Sequence, residues 1–97
     1  MKWTGEAEAR FEEFHAEVAA TGDGADFVFS FEATVHRSIN EPATAHSATV
    51  FGGEACWQVE FYKRSIVGGI QTFCFDYAII PAGERQIVWF TRNTSWF

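Results

Sequence analysis

Asp26-Phe27-Val28-Phe29-Ser30-Phe31-Glu32-Ala33-Thr34-Val35-His36 is the stretch whose conformation decides the fold. Phe27, Phe29, Phe31, Ala33 and Val35 alternate with Val28, Ser30, Glu32, Thr34 and His36. Successive side chains of an extended chain point to opposite faces. The alternation therefore predicts a half-buried β-strand over 26–36, with the phenylalanines turned inward.

Before this stretch the period changes. Trp3, Ala7, Phe11, Phe14 and Val18 recur every three or four residues and form one stripe of a helix over 5–20. Thr4 can cap its start. Glu6 and Glu8 then lie in the first turn, where the helix dipole favours negative charge, and Glu6 can pair with Arg10 one turn on. Thr21-Gly22-Asp23-Gly24 ends the helix, with Gly22 the natural left-handed residue.

After it, a loop from Arg37 to Ala45 leads to a weak strand, His46 to Phe51, and a Gly52-Gly53 turn or bulge. Glu54–Lys63 and Ile70–Ile80 alternate again and flank a loop from Ser65 to Gly69. Pro81-Ala82-Gly83-Glu84 is a turn by composition, and a last strand runs from Arg85 to about Thr94. The fold expected is α+β in a single domain, residues 1–97. One N-terminal amphipathic helix packs on a curved antiparallel meander sheet of four to five strands.

Register follows from cross-strand pairing. Setting Trp57 opposite Tyr77, Val59 opposite Phe75 and Phe61 opposite Phe73 gives aromatic and β-branched partners on one face. Gln58 then faces Asp76, and Glu60 faces Cys74, on the other. Ile87 and Trp89 are expected to join this second face, together with Glu32.

Composition bounds the function. The 97 residues carry a net charge of −6, with seven basic residues scattered along the chain. That argues against phosphate-backbone binding, which needs clustered Lys and Arg, and no nucleic-acid partner is expected. No stretch reaches the ~20 apolar residues of a membrane span, and the N-terminus lacks the pattern of a secretory signal, so a microbial cytoplasm is the expected location. Cys56 and Cys74 read as reduced thiols. His36, His46 and Glu32 match no known metal-ligand spacing, and neither metal nor cofactor is expected.

Glu60 and Asp76, on neighbouring strands, are the candidate catalytic groups, since a carboxylate in a partly apolar pocket can serve as general acid or base. Their alternative is two exposed strand carboxylates. The helix-then-sheet order resembles that of NTF2-like cone folds, though with one helix where that family usually has three. The resemblance implies a small-molecule or lyase/isomerase-like pocket with a sheet carboxylate as acid/base. The order also resembles cystatin-like inhibitors, but Gln86-Ile87-Val88-Trp89-Phe90 has Phe where their inhibitory hairpin needs Gly, so no inhibitor function carries over.

Four Trp and eleven Phe exceed what one 16-residue helix can cover, at roughly 150–250 Å² per ring. Gln58, Glu32, Trp89, Trp96 and Phe97 are therefore the candidate ligand or interface residues. The segment from Arg85 to Phe97 has two arginines and no acidic side chain, whereas the helix carries Glu6, Glu8, Glu12, Glu13 and Glu17. A sheet-face or edge-strand homodimer would use that asymmetry. The primary expectation is a non-enzymatic binding module, a small bacterial or mobile-element accessory protein, dimeric through the second sheet face. A protein partner or a small apolar ligand are the other occupants weighed. The alternative is the pocket protein.

Overall fold

Residues 2–40, 47–51, 54–80 and 83–97 are described by the computed structural model, with 47–51 and 54–55 described by backbone alone. The elements are β1 (Lys2–Trp3), α1 (Gly5–Ala19), α2 (Gly24–Asn40), β2 (Ser47–Phe51), β3 (Glu54–Ile66), β4 (Gly69–Ile79) and β5 (Arg85–Trp96). The expected Gly52-Gly53 and Pro81-Ala82 turns, the side chain of Phe51 and His46 lie outside the described residues.

α1 begins and ends as its residues dictate. The Thr4 hydroxyl accepts from the Ala7 N–H at 3.1 Å, and Glu6 and Glu8 occupy the first turn. Ala7, Phe14 and Val18 are buried and Phe11 packs beside them. Gly22, at φ +91°, turns the chain out of the helix through a conformation that a side chain would strain. Arg10 pairs with Glu13 at 3.2 Å rather than with Glu6. Trp3 fits the helical spacing but sits in β1, paired in parallel with Ile87.

The segment 26–36 is helix, not strand. Periods of two and of 3.6 share positions 27, 31 and 35, so the phenylalanines satisfy both. The buried positions of α2 are Phe27, Phe31, Thr34 and Ser38, spaced four, three and four. Phe29, which a strand would turn inward beside Phe27 and Phe31, is 74% exposed. The Asp23 carbonyl accepts from Phe27 N–H at 3.0 Å and Asp26 lies in the first turn, so the turn that closes α1 also opens α2. The single expected helix is thus a pair. This also accounts for the aromatic surplus, because a second helix buries rings that one helix leaves uncovered.

Sheet order is β1-β5-β4-β3-β2. β2 to β5 form an antiparallel meander, and β1 adds to the far side of β5 in parallel, so the sheet is mixed rather than wholly antiparallel. α1 lies over β5 and α2 over β3, both on one face. Between them Phe27, Phe31, Phe61, Phe75 and Phe90 form a ring cluster, with Phe27–Phe61 at 5.2 Å and Phe31–Phe75 at 5.7 Å.

The pairs Trp57–Tyr77, Gln58–Asp76, Val59–Phe75 and Glu60–Cys74 stand as expected. A bulge after Glu60 then pairs Tyr62, not Phe61, with Phe73. Phe61 stays buried in the core, and the β3–β4 connection shortens to Val67-Gly68, with Gly68 at φ +80°. A second bulge, at Val88, pairs Asp76 with Trp89 but Tyr77 with Ile87. Ile87 therefore belongs to the core, fully buried, and not to the second face.

Replacing Phe27 or Phe31 with Ala is expected to cost about 3–5 kcal/mol in urea unfolding, as for a buried phenylalanine. Phe29→Ala should change stability by less than about 0.5 kcal/mol. Equal losses at all three positions would restore the strand.

Candidate functional site

Among the described residues the second sheet face carries no helix. At its centre the registers set Gln58, Asp76 and Trp89 in one row across β3, β4 and β5. Glu60, Cys74 and Thr91 form the next. The Gln58 amide Nε2 donates to Asp76 Oδ1 at 3.0 Å and to Thr91 Oγ1 at 3.4 Å, so one side chain ties three strands together.

Asp76 is only 6% exposed. Burial raises its carboxyl above the ordinary 3.8, and the hydrogen bond from Gln58 works against that rise. Cys74 is buried as well. Desolvation, with the nearby charges of Glu60 and Asp76, pushes its thiol up to about 11. At neutral pH it is a thiol, poorly suited to attack. Cys56 is also free and buried.

The other expected residues separate. Glu60 is exposed and bonds Lys63 at 3.0 Å, so the pair Glu60–Asp76 is one solvated and one buried carboxylate. Glu32 is not on the sheet. It is an exposed residue of α2, on the opposite side of the molecule from Asp76, because the segment that carries it is helical. Trp89 is half-buried and lies opposite Asp76, with the Arg10 guanidinium 5.2 Å from its ring. Trp96 and Phe97 are 71% and 92% exposed at the far end of β5, beside the β3–β4 turn, where Phe97 N–H donates to Gly68 O at 2.7 Å. The structure thus brings Gln58 and Asp76 together through a hydrogen bond, sets Trp89 in register with Asp76 while its ring meets Arg10 of α1, and holds Trp96 and Phe97 apart from them.

Two features were not read from the sequence. Thr91 completes the polar row, and its place depends on the bulge at Val88. The groove between α1 and the outer edge of β5, lined by Glu6, Ala9, Arg10, Glu13 and Trp89, is the other. Arg10 spans it, 4.4 Å from the Phe14 ring on one side. The spacing of Arg10, Glu13 and Phe14 on one helix face was the available signal.

Chemically, the Asp76 site can hold or release one proton beside the Gln58 amide. Comparison of the chain with family profiles, with curated proteins and with solved structures returned no match.

The raised Asp76 carboxyl has a sign that can be tested. A carboxyl raised in the folded state favours folding when protonated, and that contribution is lost as pH rises from the ordinary carboxylate value through the raised one. Asp76→Asn, which keeps an acceptor for Gln58, is expected to be more stable than the parent at pH 7. The two should converge as pH falls below about 4. A difference that does not vary with pH would contradict this assignment.

Proposed function

We propose that the protein is a non-enzymatic interaction module that acts as a homodimer assembled through its sheet. The observation that supports this is the outer edge of β5. β1 pairs with Gln86 and Ile87, and from Phe90 onward no second strand among the described residues lies on the side of β5 away from β4, where the exposed rings of Trp96 and Phe97 follow. From Trp89 to Phe97 this edge holds no Pro, Gly, Lys or acidic side chain. Pro, Lys and acidic side chains are among the devices that keep edges from pairing, and the one charged side chain of this stretch, Arg92, is taken up by Glu17 of α1, which leaves the edge a template for another strand. The second sheet face, with Trp89 and Ile70 beside the Asp76 row, is the other surface through which such a dimer would form.

A second reading is supported by the buried Asp76, whose carboxyl is raised above its ordinary value by burial. In it the second face receives a small ligand, Asp76 exchanges a proton with it, Gln58 orients it and Trp89 packs against it. The two readings separate on the state of the protein in solution. Sedimentation equilibrium is expected to give twice the 10.9 kDa chain mass at micromolar concentration. A single 10.9 kDa species up to several hundred micromolar would overturn the dimer and leave the ligand site as the reading to pursue.

A further inference from the structure

We propose that the molecule carries a binding site for an N-methylated ammonium group, in the hollow that Trp3, Glu8, Phe11 and Glu12 line. The site is built by β1 and α1, and its ligand is a small cation rather than a second copy of the chain. It is therefore independent of the homodimer.

The rings are the first observation. Trp3 extends from β1 and Phe11 from the second turn of α1. Their centroids lie 5.2 Å apart with the planes at 89°, so the two rings meet as a corner. Behind that corner both pack on Phe31 and Phe90, which fixes their planes. Each ring is half-buried, and its remaining surface borders the hollow. A ring face carries negative potential, and two faces at a right angle enclose a rounded cation better than a flat group.

The carboxylates are the second. Glu8 and Glu12 stand one turn apart on α1, both exposed, with Phe11 between them. Like charges at this spacing repel. Among the described residues no Lys or Arg pairs with either of them. Lys2 bonds Glu84, Arg10 bonds Glu13, and Arg64 and Arg92 both bond Glu17. Glu13 and Glu17 are thus answered within the chain, whereas the two carboxylates beside the rings are not. The net charge of −6 adds a field that draws cations to this surface.

Together the four side chains select the ligand. An anion would meet two carboxylates. A hard divalent ion needs several oxygen ligands, and no group of three His, Cys, Asp or Glu gathers among the described residues. A primary ammonium is strongly hydrated and gains less from ring faces. A trimethylammonium group offers methyl surface to both rings and keeps its charge for Glu8 and Glu12. The hollow, about 360 Å³, is at the small end of ligand pockets and suits such a group with a short chain attached.

Titration with choline chloride tests the site, read at the indole N–H resonance of Trp3 with ionic strength held constant by sodium chloride. The control is the uncharged isostere of choline with carbon in place of nitrogen. Choline is expected to shift the Trp3 resonance saturably and to bind at least about tenfold tighter than the isostere. Trp3 and Phe11 also pack on the core, so the variants are placed at the exposed carboxylates. Glu8→Gln with Glu12→Gln should weaken choline about fivefold and leave the circular dichroism unchanged. A trimethyllysine peptide, run beside choline, distinguishes the source of the group. If the peptide binds tighter, the site reads a modified protein chain; if choline binds tighter, it takes a free small molecule. Either result supports the site. A Trp3 resonance that does not move up to about 50 mM choline overturns it, as does equal binding of choline and its isostere, or an unchanged affinity in the double variant.

Discussion

The fold rests on covering one face of β4. Phe73, Phe75 and Tyr77 point from that strand into a layer with no solvent, and each is fully buried. No single helix spans the three long strands β3 to β5. α1 covers β5 and α2 covers β3, and the seam between them is filled by Phe11 and Phe31, whose rings lie 4.8 Å apart. Apolar burial at about 25 cal/mol per Å² makes these rings the largest favourable contribution in a chain of this size. The conformation of 26–36 follows from that requirement rather than from local propensity, since Phe, Val and Thr in isolation favour strands.

With both helices on one side, the opposite face is left, among the described residues, to the strands alone. It is not the apolar surface that the aromatic count suggested. At its centre Gln58 donates to the buried Asp76 in its own row and to Thr91 in the next. A buried carboxylate is costly unless bonded, and the amide that crosses three strands meets part of that cost while pinning their register. Among the described residues the exposed rings lie elsewhere, at Phe29 on α2 and at Trp96 and Phe97 beyond the reach of α1.

Much of this was legible in the residues. The Thr4 cap, the Gly22 exit and the pairing of 57–60 with 74–77 each rest on local chemistry that one sequence displays. What was hidden was hidden for definite reasons. Phe27, Phe31 and Val35 satisfy two periods at once, and the discriminating residue, Phe29, looks apolar in either. Trp3 continues the spacing of the α1 stripe although its backbone is extended. The bulges at Phe61 and Val88 insert one residue each without a Gly or Pro to announce it, and they moved Ile87 into the core and set Trp89 beside Asp76. Of the site, Gln58 and Asp76 came from register alone, whereas Glu32 was lost with the strand that was to carry it.

The central claim is that 24–40 is a helix whose Phe27 and Phe31 close the core. Backbone NMR tests it most directly. The account predicts strong sequential amide–amide contacts and downfield Cα shifts through residues 26–36, with contacts from the Phe31 ring to both Phe11 and Phe75. Upfield Cα shifts, strong sequential α-to-amide contacts and cross-strand contacts from 26–36 to β3 or β5 would contradict it.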